Sequence, residues 1–201
     1  MTIQCQIYFK ISTQVAFISM INLMEETVLH EIEPVWDSES RVLLLGTMPS
    51  SASRKAGFFY MHPQNRFWKV LPAVFGENMT YPNNAPDRER AIKERREFLL
   101  RNKIALWDVL SSCSIEGAAD SSIKNAVPND FTQILENSKI RRVFCTGKTA
   151  FNLWNKFCGP RYEEKFSLEC DCLPSTSPAN AAWSLERLIE AYQVTSSVAS
   201  V

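Results

Sequence analysis

The fold is decided by residues 42–68, which read Val-Leu-Leu-Leu-Gly-Thr-Met-Pro-Ser-Ser-Ala-Ser-Arg-Lys-Ala-Gly-Phe-Phe-Tyr-Met-His-Pro-Gln-Asn-Arg-Phe-Trp. The apolar start predicts a buried strand, the glycine- and proline-punctuated middle predicts a loop, and Pro63 predicts the start of a helix. Ligands of open parallel sheets bind at the carboxyl ends of the strands. We therefore expect chemistry in this loop, although an ordinary strand-to-helix connection with core aromatics fits the same residues equally well.

Along the whole chain, apolar runs alternate with helical patterns. The apolar runs cover residues 42–47, 104–110, 142–147 and 166–173, and helices are predicted over residues 63–75, 87–102, 128–137 and 146–158 and from residue 179 onward. Strands that alternate with helices predict a parallel sheet covered on both faces. The pattern therefore predicts an α/β sandwich, and it contains no internal repeat, linker or second domain.

The composition is that of one soluble domain of ordinary make-up, with 201 residues of which 45% are hydrophobic and 22% are charged. The formal net charge is zero, so binding of nucleic acid requires a local basic surface. No stretch approaches the roughly 18 apolar residues of a membrane span. We therefore expect a protein that contacts no membrane.

The 6 cysteines are scattered, and no pair has the Cys-x-x-Cys spacing of zinc and redox sites. Free thiols in a reducing compartment are the expectation, which indicates a cytoplasmic protein without an iron–sulfur site. Residues 1–23 lack a signal-peptide cleavage site and are predicted to be a poorly ordered upstream extension, followed by a single domain over residues 24–201. A genuine N-terminal strand or helix is the alternative for the first segment.

A basic run lies on the predicted helix over residues 87–102 and continues just past it. It comprises Arg88, Arg90, Lys93, Arg95, Arg96, Arg101 and Lys103, interleaved with Asp87, Glu89, Glu94 and Glu97. A DNA-binding surface is one interpretation. A solvated helix face with alternating charge pairs is the interpretation that we favour.

Three blocks of this chain resemble motifs of the uracil-DNA glycosylase superfamily. They are Gly46-Thr47-Met48-Pro49-Ser50 with His62-Pro63-Gln64-Asn65-Arg66-Phe67-Trp68, then Leu106-Trp107-Asp108-Val109 with Asp120-Ser121-Ser122-Ile123, then Leu173-Pro174-Ser175-Thr176-Ser177-Pro178-Ala179-Asn180. The blocks stand in the family's order and most resemble the hypoxanthine-DNA (deoxyinosine) glycosylase branch, with mismatch-specific uracil-DNA glycosylases next. The resemblance implies a three-layer α/β/α sandwich with a four-stranded parallel sheet.

The same resemblance implies a monofunctional DNA glycosylase without metal or other cofactor. Such an enzyme acts as a monomer on double-stranded DNA that contains a deaminated base, chiefly hypoxanthine. It flips the nucleotide out of the stack, which costs least where the pair is already mismatched. The alternatives are a mismatch-specific uracil or thymine glycosylase and a catalytically silent relative that binds damaged DNA.

The catalytic residue implied by the resemblance is Asn65. Mismatch-specific relatives carry a polar residue that orients the attacking water at the position of Met48, and a thioether cannot do this. The hypoxanthine branch likewise lacks that residue and assigns catalysis to the asparagine of His-Pro-x-Asn, which is Asn65 here. Because Asn65 follows Pro63 closely, capping or packing at the start of a helix is the structural alternative.

Base binding is assigned to Gly46, Thr47, Met48, Tyr60 and Asp108. Tyr60 stands where relatives place the aromatic residue that stacks on the extruded base, and burial against the sheet is its alternative role. Asp108 ends the second strand, where uracil-specific relatives carry an asparagine that reads the base edge. A carboxylate accepts the N1–H of hypoxanthine and repels adenine. Capping of the Ser111-Ser112 turn is an equally open alternative.

The third block is assigned to DNA binding through Ser175, Thr176, Ser177, Pro178 and Asn180. Hydroxyl and backbone N–H groups and the positive end of a following helix suit a phosphate. In relatives the segment presses into the minor groove and holds the flipped state. Without the resemblance, a proline–serine loop before a helix is most simply a cap.

Overall fold

The computed structural model describes residues 26–115 and 123–200. The predicted extension at residues 1–23 lies outside the described residues, as do Asp120, Ser121 and Ser122 of the second motif. The described strands are β1 Glu26–Leu29, β2 Val42–Gly46, β3 Ile104–Asp108, β4 Leu110–Ile115, β5 Lys124–Pro128, β6 Arg142–Thr146 and β7 Glu169–Leu173. The described helices are α1 Ser51–Ala56, α2 Phe67–Val74, α3 Arg88–Arg101, α4 Thr132–Glu136, α5 Lys148–Phe157, α6 Gly159–Phe166 and α7 Leu185–Ser200.

The centre of the molecule is a parallel sheet with the strand order β3-β2-β6-β7. Leu44 in β2 lies opposite Leu106 in β3 and Phe144 in β6. All five residues of β2 are buried, as expected for an inner strand whose two faces are both covered by helices.

Two hydrophobic cores lie on the two faces of this sheet because successive strand residues point in opposite directions. Val42 and Leu44 pack with side chains of α2, α3 and α7. Leu43 and Leu45 pack with side chains of α4, α5 and α6. The predicted three-layer α/β/α sandwich with four parallel strands is confirmed.

A second sheet, antiparallel and with the order β1-β4-β5, was missed by the sequence analysis. The predicted strand over residues 104–110 divides at Val109, whose backbone N–H donates to the carbonyl of Gly46 at 2.9 Å. Pro128 was expected to open a helix, but it ends β5 and lies opposite Leu110 of β4. The period-two signal is weak because β5 has no buried residue and the buried residues of β4, at Leu110, Cys113 and Ser114, do not alternate with exposed ones.

Three other predicted boundaries are wrong. The helix expected from Pro63 begins at Phe67, and the last helix begins at Leu185 instead of near Ala179. The strand expected from Phe166 begins at Glu169, because residues up to Phe166 form α6, which ends at Ser167 in a left-handed conformation. None of the helices in residues 26–115 and 123–200 has the length and apolar character needed to cross a bilayer.

The basic helix α3 is a solvated face with charge pairs, as favoured from the sequence. Arg90 pairs with Asp87 at 3.1 Å and Lys93 pairs with Glu97 at 3.8 Å. Arg95 is the exception, because its side chain is fully buried and donates to backbone carbonyls. One member of the basic run therefore belongs to the interior.

Candidate active site

The first part of the site lies where β2, β3 and β6 end, at Gly46, Asp108 and Thr146. Gly46 and Asp108 are direct neighbours in the parallel register. A Cβ atom on Gly46 would lie 2.2 Å from Asp108 Oδ1 and 2.9 Å from the Tyr60 hydroxyl. Only glycine permits so close an approach. Gly46, Tyr60 and Asp108, three of the residues assigned to base binding, therefore lie together at one strand end.

Tyr60 is held in a strained and well-supported conformation. Its φ angle of 56° lies in the left-handed region, which a tyrosine adopts rarely. Its ring stacks on Phe67 with a centroid separation of 3.9 Å. Its hydroxyl donates to Thr146 Oγ1 at 2.7 Å, since the Thr146 hydroxyl itself donates to the carbonyl of Leu45. The ring is thus fixed at the strand ends while the residue stays partly exposed.

The Tyr60 hydroxyl is a neutral donor. Burial raises its pKa well above its ordinary value, and the nearby Asp108 carboxylate adds to the rise. The neighbouring aromatics Phe58 and Phe59 are fully buried, so they are core residues.

Thr47 and Met48 shape the floor of this region without offering reactive groups. Thr47 is buried, and its carbonyl accepts from the backbone N–H of Leu110 at 3.1 Å. Met48 is half-buried against the core that contains Leu45. Met48 therefore places no polar side chain at the position where mismatch-specific relatives orient the attacking water.

The side chain of Asn65 is oriented by two hydrogen bonds to its oxygen. Oδ1 accepts from the backbone N–H of Phe67 at 3.0 Å and from the Thr176 hydroxyl at 2.9 Å. Since the backbone N–H can only donate, the oxygen must face Phe67 and the amide nitrogen must point away. That nitrogen has no partner among the described residues and is not closed off from solvent. Asn65 therefore accepts the first backbone N–H of α2, that of Phe67, and also presents a free N–H donor.

Asn65 also borders an open groove of about 570 Å³ between α2, the loop before α3, and α7. Lys69, Thr80 and Asn84 contribute polar side chains to the same groove, and Leu185 contributes an apolar wall. The residue therefore meets both the loop of the third motif and a surface wide enough to receive an extended ligand.

The segment of residues 175–180 lies directly beside Asn65, and Arg66 fixes it there. The Arg66 guanidinium donates to the carbonyls of Ser177 at 2.8 Å, Asn180 at 2.9 Å and Thr176 at 3.3 Å, and also to that of Trp183. With its carbonyls turned inward to Arg66, the segment keeps Pro178 exposed at the surface.

Three details of the predicted DNA contacts need correction. Thr176 is 1% exposed and its hydroxyl is committed to Asn65, so that hydroxyl is not available to a phosphate. The Asn180 amide nitrogen donates to the carbonyl of Ser175 at 2.9 Å, which closes the loop on itself. Because α7 begins only at Leu185, its positive end does not follow the loop directly. Ser175, Ser177 and Pro178 remain the members that are open to a ligand.

Asp108 does not cap the Ser111-Ser112 turn. Its Oδ2 atom lies 2.9 Å from Nε2 of His30, and its backbone carbonyl accepts from the Asn129 amide at 2.9 Å. Burial raises the pKa of the Asp108 carboxyl above its ordinary value, and the hydrogen bond with His30 opposes this rise. His30 was missed by the sequence analysis, because no local pattern connects it to a residue 78 positions away.

Asn83 and Arg95 form a second support that the sequence analysis missed. The Asn83 amide nitrogen lies within hydrogen-bond reach of the carbonyls of Tyr60 at 3.2 Å, His62 at 2.9 Å and Asn65 at 3.2 Å. The buried Arg95 in turn donates to Asn83 Oδ1 at 3.1 Å. The asparagine-rich loop before α3 was the available signal. Through the Asn83 amide, this loop holds the backbone from Tyr60 to Asn65 in place.

The described residues contain no group of three or more His, Cys, Asp or Glu side chains arranged to hold a metal ion. The family model described as "Uracil DNA glycosylase superfamily" matches residues 34–194, which is most of the chain. The chain belongs to the uracil-DNA glycosylase superfamily. The resemblance drawn from the three motif blocks is thereby confirmed.

Two similar proteins come from Methanosarcina species. A protein of Methanosarcina acetivorans named "Hypoxanthine DNA glycosylase" is 32% identical over 154 residues, which cover 76% of this chain and 89% of that protein. A protein of the same name from Methanosarcina barkeri is 34% identical over 116 residues, which cover 57% of this chain and 68% of that protein.

A solved structure agrees with this superfamily fold. The solution NMR structure of a proposed uracil-DNA glycosylase from Methanosarcina acetivorans has a TM-score of 0.67 and 28% sequence identity to this chain. The match covers 86% of this chain and 99% of the other.

Proposed function

We propose that this protein is a DNA glycosylase that hydrolyses the N-glycosidic bond of hypoxanthine in DNA. Two relatives that carry the name "Hypoxanthine DNA glycosylase" support the substrate. The observation that carries the proposal is the contact of Asn65 with Thr176, which joins the first and third family motifs in one site. The proposed partner is double-stranded DNA with a deaminated base, bound by a monomer in the cytoplasm.

The reaction begins with the extrusion of the nucleotide, at a cost of a few kcal/mol. Ser175, Ser177 and the exposed Pro178 form the surface that contacts the DNA backbone and the vacated stack. Tyr60 receives the extruded base on its ring, which is worth about 1–3 kcal/mol per base. Because Phe67 already covers one face of that ring at 3.9 Å, the base uses the other face.

Asp108 then reads the base edge. Its Oδ2 atom is engaged by His30, and its Oδ1 atom lies against Gly46 and the Tyr60 hydroxyl. An ionised Oδ1 accepts the N1–H of hypoxanthine or the N3–H of uracil, whereas the N1 atom of adenine is itself an acceptor. The carboxylate thus admits deaminated bases and disfavours adenine.

Asn65 assists the breaking of the bond between the sugar C1′ atom and the base nitrogen. The electron pair of that bond leaves with the base, and the sugar becomes oxocarbenium-like until water adds to C1′. The added water loses a proton to solvent and the departing base takes one up, so the products are an abasic sugar and the neutral base. Both lone-pair directions of Asn65 Oδ1 are engaged by Phe67 and Thr176. We therefore assign its role to the free N–H group, which donates to the leaving base or holds the water through the water's lone pair.

A uracil- or thymine-specific mismatch glycosylase is the weaker candidate. That activity depends on a polar side chain at the position of Met48, which here packs partly against the apolar core. A silent damage-binding relative would keep the Tyr60 and Ser175 surfaces but would not need the donor of Asn65.

The test uses end-labelled duplexes that carry inosine, uracil or xanthine opposite each normal base, incubated with the protein and then treated with alkali. We expect strand cutting at abasic sites chiefly in the inosine duplexes. Cutting confined to uracil would instead identify the mismatch-specific activity. Gel retardation without cutting would identify the silent binding protein.

Replacing Tyr60 by leucine tests the stacking role. We expect the KM for the inosine duplex to rise about tenfold, since stacking contributes roughly 1–3 kcal/mol per base. Tyr60→Phe keeps the ring and loses only the hydroxyl bond to Thr146, so it should bind duplex like the parent while losing about 1 kcal/mol of unfolding free energy. Equal KM values for Tyr60→Leu and the parent would remove Tyr60 from the base site.

A further inference from the structure

His30 is a buried side chain that takes no direct part in the proposed reaction. It follows β1, its side chain is 1% exposed, and its ring lies between those of Phe59 and Trp107 at centroid separations of 6.0 and 6.1 Å. Its Nδ1 atom is buried without a hydrogen-bond partner among the described residues. The contact of Nε2 with Asp108 at 2.9 Å is therefore the polar interaction that orients this ring.

In the His30–Asp108 pair, the two oxygens of the carboxyl have different surroundings. Oδ2 is occupied by His30, whereas Oδ1 lies against Gly46 and beside the Tyr60 hydroxyl. Asn129 anchors only the backbone carbonyl of Asp108, whereas His30 provides the hydrogen bond to its side chain. A carboxylate that is pinned through one oxygen presents the other in a fixed direction.

We propose that His30 is a positioning residue that holds Asp108 as an ionised acceptor for the N–H edge of the extruded base, and so sets which bases the site admits. The inference rests on the proposed function and deepens it, because it concerns substrate selection at the same site. His30 acts through Asp108 and does not itself touch the base.

The protonation state of Asp108 decides the direction of the hydrogen bond at the base edge. Burial favours the neutral carboxyl, and the hydrogen bond from His30 opposes this by lowering its pKa. A neutral carboxyl presents an O–H that donates, which suits the N1 atom of adenine and not the N1–H of hypoxanthine. Among the residues that the structure describes, the Tyr60 phenol is the other ionisable group beside the pair, and it remains neutral because its own pKa is raised.

The variant that tests this is His30→Leu, which keeps an apolar filling and removes the donor. At about pH 6 we expect hypoxanthine release in a single turnover to fall about tenfold to a hundredfold relative to the parent, as for the loss of a partner to a buried polar group. Because the carboxyl regains its charge as the pH rises, the deficit should shrink towards about pH 8. His30→Gln, whose amide still donates, should stay within about threefold of the parent at both values.

A double-mutant cycle separates positioning from folding. In the Asp108→Asn background no carboxylate remains to be oriented, so adding His30→Leu should cause no further loss. Melting temperatures of all four proteins are measured in parallel. If His30→Leu does not fold, the comparison of His30→Gln with the parent carries the test, and a pH-dependent loss there contradicts the proposal.

The inference and the proposed function fail in different ways. If the parent releases hypoxanthine but His30→Leu matches it at both pH values, the positioning role of His30 is overturned and the function stands. If the parent releases no hypoxanthine, the function fails, and the pair is judged by gel retardation of inosine against adenine duplexes. Loss of that discrimination in His30→Leu supports the inference, and unchanged discrimination overturns it.

Discussion

Replacing Asn65 by alanine should lower the single-turnover rate of hypoxanthine release about a hundredfold to a thousandfold, the range for loss of one preorganised donor in an active site. The physical reason is that the Asn65 N–H group has no protein partner among the described residues, so it is free to donate to the substrate once the substrate displaces solvent. The rate is measured with the enzyme in excess over a labelled inosine duplex.

The alanine variant alone is ambiguous, because Asn65 also accepts hydrogen bonds from the Phe67 backbone and from Thr176. Asn65→Asp resolves this, since a carboxylate can still accept from the Phe67 N–H and the Thr176 hydroxyl but has no N–H to donate. We expect Asn65→Asp to fold like the parent and to be about as slow as the alanine variant. An aspartate variant that retains the parent rate would contradict the donor role and favour water activation by an acceptor at this position.

Replacing Arg66 by alanine should detach the segment of residues 175–180 from Asn65. The guanidinium donates to four backbone carbonyls in residues 176–183, and alanine leaves those carbonyls without it. We expect the unfolding free energy to fall by about 2–4 kcal/mol, given that a bond to a charged donor contributes about 1.5–3 kcal/mol and the site is partly solvated. The dissociation constant for the inosine duplex should rise at least about tenfold, because the loop that contacts DNA is no longer preorganised.

Two comparisons separate geometry from charge in this prediction. Arg66→Lys keeps the positive charge but lacks the planar fork that reaches several carbonyls, so it should behave like the alanine variant. Arg90→Ala removes an exposed arginine of α3, whose side chain is 73% exposed, and should leave stability and binding unchanged. Full rescue of duplex affinity by Arg66→Lys would show that Arg66 contributes through long-range attraction to DNA instead of by holding the loop.

The parallel sheet was predictable because its signal is local. Four apolar runs produced four parallel strands, and the alternation of Leu43 and Leu44 between opposite faces follows from the period of a strand. The antiparallel sheet was not predictable in this way. Strand β5 has no buried residue and β4 has no regular alternation of burial. Pro128 has the local features of a helix start, although it pairs with Leu110 in the sheet.

In the candidate site, too, features with a local signal were predictable and contacts between distant residues were not. Tyr60, Asn65 and Asp108 were singled out from residue type, motif and position after a strand, and the fold brings Tyr60 and Asp108 together at Gly46. The structure places Asn65 beside the 175–180 loop through its hydrogen bond with Thr176. The hydrogen-bond partners of the Thr176 and Asn180 side chains were not predicted, because hydroxyl and amide groups suit a phosphate and a neighbouring protein oxygen equally well.

By itself the sequence determined the strands of the central sheet, the loop that follows the first of them, and the chemical types of the residues at the strand ends. Only the tertiary structure decided that His30 orients Asp108, that Asn83 and Arg95 hold the backbone of residues 60–65, and that Arg66 fixes the third motif. The physical reason is that periodicity and turn chemistry act between near neighbours. A buried polar group, in contrast, takes whichever partner the packed chain brings within about 3 Å, however distant in sequence.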